Sequence, residues 1–176
     1  MNVSKSLLFL ALAGASSAAV AADAERAIPE PKTFVTKAAL DGMTEVEAGK
    51  VALMKSQDPG ILSFAKRMVD DHGKANAELS SIAKAKGIDA PKELDAEHQA
   101  MLDTLSAKSG ADFDREYSHH MNMDHSKAIA LFESASKSSD PDLASFAKKT
   151  LPTLKQHKQL AEKLPGKTVA GATPGG

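Results

Sequence analysis

Four side chains that could do chemistry stand on faces of their helices where apolar residues belong. At 100° per residue, Glu47 falls between Leu40, Met43, Val51 and Met54. His72 continues the line of Phe64 and Met68, ahead of Ala75 and Leu79. His125 continues the line of Tyr117 and Met121, ahead of Ala128 and Phe132, and His157 falls between Phe146, Leu154, Ala161 and Leu164. A carboxylate and three imidazoles in an apolar core are costly unless they are paired or bind something. One Glu with three His is a ligand set for one divalent transition metal: Cu, Zn, Fe or Mn. Met68 and Met121 would add soft sulfur and tilt the choice towards copper. Asp71 and Asp124 flank the same stripes, as hydrogen-bond acceptors for the imidazoles or as alternative ligands. The alternative reading is a metal-free core network of hydrogen bonds between the same His and Glu, in a non-catalytic structural or interaction module.

A short repeat sharpens the first reading. Met68 to Ala75 and Met121 to Ala128 share the frame M-x-x-D-H-x-K-A. Other chemistries find no support. The chain has no Cys, so any metal must be held by His, carboxylate, Met or backbone. No glycine-rich phosphate loop, G-x-S-x-G elbow or H-E-x-x-H motif occurs. A net charge of −1 gives no reason to expect nucleic acid as a partner. An enzyme would need an open coordination position and a substrate cavity, and the sequence signals neither.

The elements that must position these residues are helices. A second, longer repeat sets their order: D-P-x-φ-x-S-F-A-K occurs at Asp58–Lys66 and again 82 residues later (140 minus 58) at Asp140–Lys148. In each copy Asp is a good N-cap and Pro a good first helical residue. The apolar spacing predicts one helix over about 33–56, a second from Pro59 to about Gly87, a third over about 112–136, and a fourth from Pro141 to about 163, bent or broken at Pro152. Pro91 opens a shorter helix between the second and third. Two hairpins joined by a long crossover carrying that short helix give an all-α four-helix bundle in up-down-down-up order. Counted from the hairpin turns, the four polar groups lie 11 to 17 residues in, near mid-bundle and within about 9 Å of one level.

Residues 1–22 read as a signal peptide. Lys5 supplies the positive end, Ser6 to Val20 an apolar stretch, and Ala19-Val20-Ala21-Ala22 a small-residue cleavage site before Asp23. The mature protein would be exported to a periplasm, with no membrane span left after cleavage. Residues 23–32 suit a linker, 33–163 the bundle domain, and 164–176 a disordered tail.

Thr44 to Ala52, Phe64 to His72, Phe113 to Tyr117, His125 and Leu151 to His157 together resemble, in that order, the bacterial exported family known as domain of unknown function 4142. The resemblance covers about 33–163. It implies a ferritin-like bundle and an envelope setting, and it brings no established activity. Ferritin-like di-iron proteins carry Glu-x-x-His on two helices. Here Val69 and Leu154 stand three before His72 and His157, so di-iron chemistry is not expected. The expectation is an exported bundle that binds one divalent transition metal, in metal handling or envelope stress response.

Overall fold

The structure, a computed structural model, describes residues 27–166. The expected signal peptide, residues 23–26 of the linker and residues 167–176 of the tail lie outside the described residues. Five helices follow one another: α1 (Pro31–Lys55), α2 (Pro59–Ala85), α3 (Ala96–Ser106), α4 (Gly110–Ala135) and α5 (Pro141–Ala161). Among the described residues there is no strand, and no helix is long and apolar enough to cross a membrane.

The long repeat builds the two hairpin turns alike. Asp58 Oδ1 accepts from the backbone N–H of Gly60 (2.8 Å) and Ile61 (3.0 Å), and Asp140 Oδ1 does the same for Asp142 (3.0 Å) and Leu143 (3.1 Å). Two residues upstream, the hydroxyls of Ser56 and Ser138 accept from the backbone of those same Asp residues at 3.2 Å. Each turn thereby satisfies N–H groups that a helix start leaves unpaired.

α1 packs along α2, α4 along α5, and the two hairpins meet through α1 with α4 and α2 with α5. The ends show the directions. Phe34 at the start of α1 meets Phe132 near the end of α4, ring centres 5.1 Å apart. Lys55 at the end of α1 donates to the carbonyl of Lys108, just before α4 (3.0 Å). α1 and α4 therefore run in opposite directions. α2 and α5 do too, since Glu78 late in α2 pairs with Lys149 early in α5 (2.8 Å) and Lys86 bridges Asp140 (2.8 Å) and Asp142 (2.7 Å). The chain must then travel back along the bundle between α2 and α4, and α3 does this, held against the core by buried Leu102 and Leu105.

Two expectations about these elements need correction. The short helix starts at Ala96, capped by Asp95, whose carboxylate accepts from the N–H of His98 (3.0 Å); Pro91 lies outside it. α5 runs unbroken through Pro152, which sits on the exposed face, where water can satisfy the carbonyl that the missing N–H leaves free.

The inner face of α1 also differs from the projected one. Met54 is 77% exposed, while Phe34, Val35, Ala38, Gly42, Glu45, Ala48, Gly49 and Ala52 are buried. Small residues let α1 and α2 approach closely. A Cβ built on Gly49 would lie 3.0 Å from the carbonyl oxygen of Ala65, and one on Gly42 only 2.1 Å from Asn76 Oδ1. Weighting by side-chain hydrophobicity favours Leu40, Met43, Val51 and Met54; of these only Leu40 is buried, and close helix approach turns the Ala/Gly arc inward.

The core is split into two apolar clusters. One gathers Phe64, Met68, Leu105, Phe113, Tyr117 and Met121; the other gathers Phe34, Leu79, Phe132, Leu143, Phe146 and Leu154. Between them, at mid-bundle, every long helix contributes a polar residue.

Candidate metal centre

α2, α4 and α5 bring three imidazoles together in that middle layer. His72 lies between Met68 of one cluster and Leu79 of the other, His125 between Met121 and Phe132, and His157 between Leu154 and Ala161. All three are buried, with His125 and His157 each 1% exposed. Their ring centres form a nearly regular triangle: 5.6 Å for His72–His125, 5.3 Å for His72–His157 and 5.4 Å for His125–His157. Phe64 borders the triangle, 6.2 Å from His125 and 6.4 Å from His157.

Two rings are held by hydrogen bonds that fix their tautomers. His125 Nδ1 lies 2.8 Å from the carbonyl of Met121, which can only accept, so Nδ1 carries the proton and Nε2 a lone pair. His157 Nε2 donates to Asp71 Oδ2 at 3.0 Å, leaving Nδ1 with the lone pair. Those nitrogens, His125 Nε2 and His157 Nδ1, are buried without a partner, and so is His72 Nε2. One ring nitrogen from each His lies within 4.8 Å of the other two. A point within about 2.8 Å of three such atoms always exists. Bonds of about 2.0–2.1 Å would ask each ring to move inward by at most about 0.7–0.8 Å.

The surroundings keep the imidazoles neutral. Burial pushes His125 down to about 4, against the carbonyl of Met121, which favours the charged ring; the fields of His157 and Lys158 push further down. Burial also holds His72 well below its ordinary range, reinforced by the other two rings. For His157 burial again wins, over the opposing hydrogen bond to Asp71. Neutral imidazole is the form that binds a metal, so at neutral pH no proton need leave these rings.

Glu47, expected to complete the set, is elsewhere. Its side chain is 47% exposed and pairs with Lys50 at 2.7 Å. The carboxylate that reaches the layer from α1 is Glu45, two residues earlier and 200° away around the helix. Its Oε1 stands 3.7 Å from His125 Nδ1 and its Oε2 has no partner. Burial, then the fields of Asp124 and Asp41, raise its carboxyl well above the usual range. With Glu45 tending to neutral and His125 neutral, the contact is polar and not an ion pair. Glu45 also faces the Nδ1 side of the ring, away from the lone pair on Nε2. A sequence signal for Glu45 existed in the stripe Ala38, Gly42, Glu45, Gly49, Ala52, spaced at three and four residues.

The other expected residues divide. Asp71, on the flank of the His72 stripe, accepts from His157 of α5. Asp124 pairs loosely with Lys127 (3.6 Å) on its own helix and lines a cavity beside the triad. Met68 and Met121 are buried in the first apolar cluster. His98 of α3 is tied to Asp95 (2.6 Å) and approaches Asp41 of α1 (3.4 Å). His119 is exposed.

The model of the family described as "Domain of unknown function (DUF4142)" matches residues 15–164. Among curated proteins, none matches the chain. A solved structure, the crystal structure of a DUF305 fragment from Deinococcus radiodurans, superposes with a TM-score of 0.67 at 17% identity, covering 77% of this chain and 95% of that one. At that identity the likeness speaks for the helical fold alone.

Proposed function

This chain belongs to the DUF4142 family, and from that premise we propose that it binds one divalent transition metal through His72, His125 and His157. One observation carries the reading: three buried imidazoles on three helices each offer a ring nitrogen within 4.8 Å of the other two, and each ring has a buried nitrogen without a hydrogen-bond partner. An unpaired buried acceptor costs about 1–3 kcal/mol. Without a cation that cost stands at His125 Nε2 and His157 Nδ1, whose lone pairs face the same layer, whereas a bound cation removes it. Asp71 and the carbonyl of Met121 are the outer partners that orient a metal-bound His and raise its basicity. Three imidazoles without thiolate suit Zn, Cu or Fe, and a fourth position remains for water or an exchangeable ligand.

The setting we propose is an exported, periplasmic protein of metal handling or envelope stress response. The leader-like residues 1–22 support it. A ferritin-like ancestry without the di-iron carboxylates fits a mononuclear site.

Protein purified without an affinity tag tests the reading, by metal analysis and by thermal melts with Zn²⁺, Cu²⁺, Fe²⁺ and Mn²⁺, beside the His72→Ala and His157→Ala variants. The expected result is one ion per chain in the wild type, little in either variant, and a melt raised by metal in the wild type alone. At a free metal concentration 100 times Kd, binding adds about 2.7 kcal/mol of stability. Negligible metal in all three proteins, with melts indifferent to metal and chelator, would leave only the structural network.

A further inference from the structure

A cavity of about 200 Å³ adjoins the triad, and His72 and His125 form part of its wall. Its charged lining is mainly acidic, with Glu97 of α3 among the acids. Asp41 and Glu45 come from α1 and Asp124 from α4; their fields reinforce one another at Glu45. The basic groups on that lining are Lys127, which is exposed, His120, which pairs with Glu116 of its own helix (3.2 Å), and His98, which closes the α3 side against Asp41. The far wall, with Leu79, Phe132, Phe146 and Leu154, offers a cation nothing to stop on. Other flanks of the triad differ in sign: Arg67 and Lys158 act on His157 and His125, and neither lines the cavity.

Acidic side chains on a surface are usually solvated and mean little. Here a second observation points to a ligand. Glu45 is buried and lines the cavity, and its Oε2 has no hydrogen-bond partner. His72, which also lines the cavity, likewise has a buried, unpartnered Nε2.

We infer that this cavity is the entry route to the triad, an outer station where a hydrated divalent cation is held by Asp41, Glu45 and Asp124 before it sheds water and passes to the imidazoles. The inference rests on the triad reading and adds to it a path and a kinetic role for three carboxylates that are not ligands in the final site. Clefts lined by one sign of charge with low-dielectric walls focus the field and raise the on-rate of an opposite charge by about 10–10³-fold.

The test is stopped-flow absorbance of Co²⁺ binding to the full chain at low and high salt. The Asp41→Asn, Asp124→Asn double variant is compared with Asp103→Asn, Asp112→Asn, which removes the same charge from exposed sites off the cavity. The cavity pair should lower the association rate by about 10-fold or more at low salt. It should flatten the salt dependence and leave the final Co²⁺ spectrum and dissociation rate near wild type. Glu45→Gln should slow association with the same unchanged spectrum. Equal slowing by both pairs, or by neither, overturns the entry route while the triad stands. A changed final spectrum in the cavity pair makes those carboxylates ligands and also overturns it. No Co²⁺ binding by the wild type removes the triad and the route together.

Discussion

Replacing His125 by Asn should change how stability depends on pH, and the size of the change follows from the environment of the ring. Burial holds the folded-state value at about 4, against an ordinary 6.5. Between those two values the unfolded chain takes up a proton at this position and the folded chain does not. The unfolded state is therefore favoured as pH falls, and stability is lost from pH 6.5 downward until about pH 4. The gap multiplied by 1.36 kcal/mol per pH unit comes to about 3 kcal/mol for His125 alone. His72 and His157 are shifted in the same direction and steepen the loss. Glu45 acts oppositely: raised above its ordinary 4.5, it weakens the fold as pH rises from there. Asn at position 125 can keep the hydrogen bond to the Met121 carbonyl but cannot titrate. Its smaller volume lowers stability at every pH alike, so only the slope is diagnostic. Urea unfolding of metal-free protein in chelator, at half-unit steps from pH 7.5 to 5, gives that slope. The wild type should exceed the variant by close to one proton, about 1.4 kcal/mol per unit near pH 5.5. Equal slopes would mean that His125 is protonated in the folded state or open to water, and the argument for three neutral, facing imidazoles would fail.

Three further outcomes are expected. Asp71→Asn should lower metal affinity by about 10–100-fold, with stoichiometry and fold retained, in a competition titration against a metallochromic chelator, because it alters the partner that orients His157. Gly49→Leu should lower the urea midpoint by the equivalent of about 1–3 kcal/mol or more, since the Ala65 carbonyl and Val69 leave no room for a side chain there; an unchanged midpoint would show that α1 and α2 are not held that close. Asp58→Ala should cost about 0.5–2 kcal/mol as a lost N-cap, and Asp140→Ala should cost more in the same denaturation series, because Asp140 also anchors Lys86 at the end of α2.

What the sequence determined by itself is the set of helices, the twin Asp-Pro turns, and the level at which His72, His125 and His157 meet. These depend on local chemistry and counting: a cap is read from one residue and its neighbours, and depth from 1.5 Å per residue. The pairing of Asp71 with His157 was also within reach, since both lie on the flanks of stripes that face one core. What only the tertiary structure decided is which carboxylate α1 presents. Glu47 sits amid the larger apolar side chains and Glu45 amid Ala and Gly, and hydrophobicity favours the first arc. The fold chose the second because α1 and α2 come closest where side chains are smallest, and that choice rotates Glu45 inward and leaves Glu47 with Lys50 at the surface. The cavity, and the convergence of Asp41, Asp124 and His98 upon it, likewise arises from three elements far apart in the chain. No local pattern encodes such a meeting, because the gap exists only once the helices are packed.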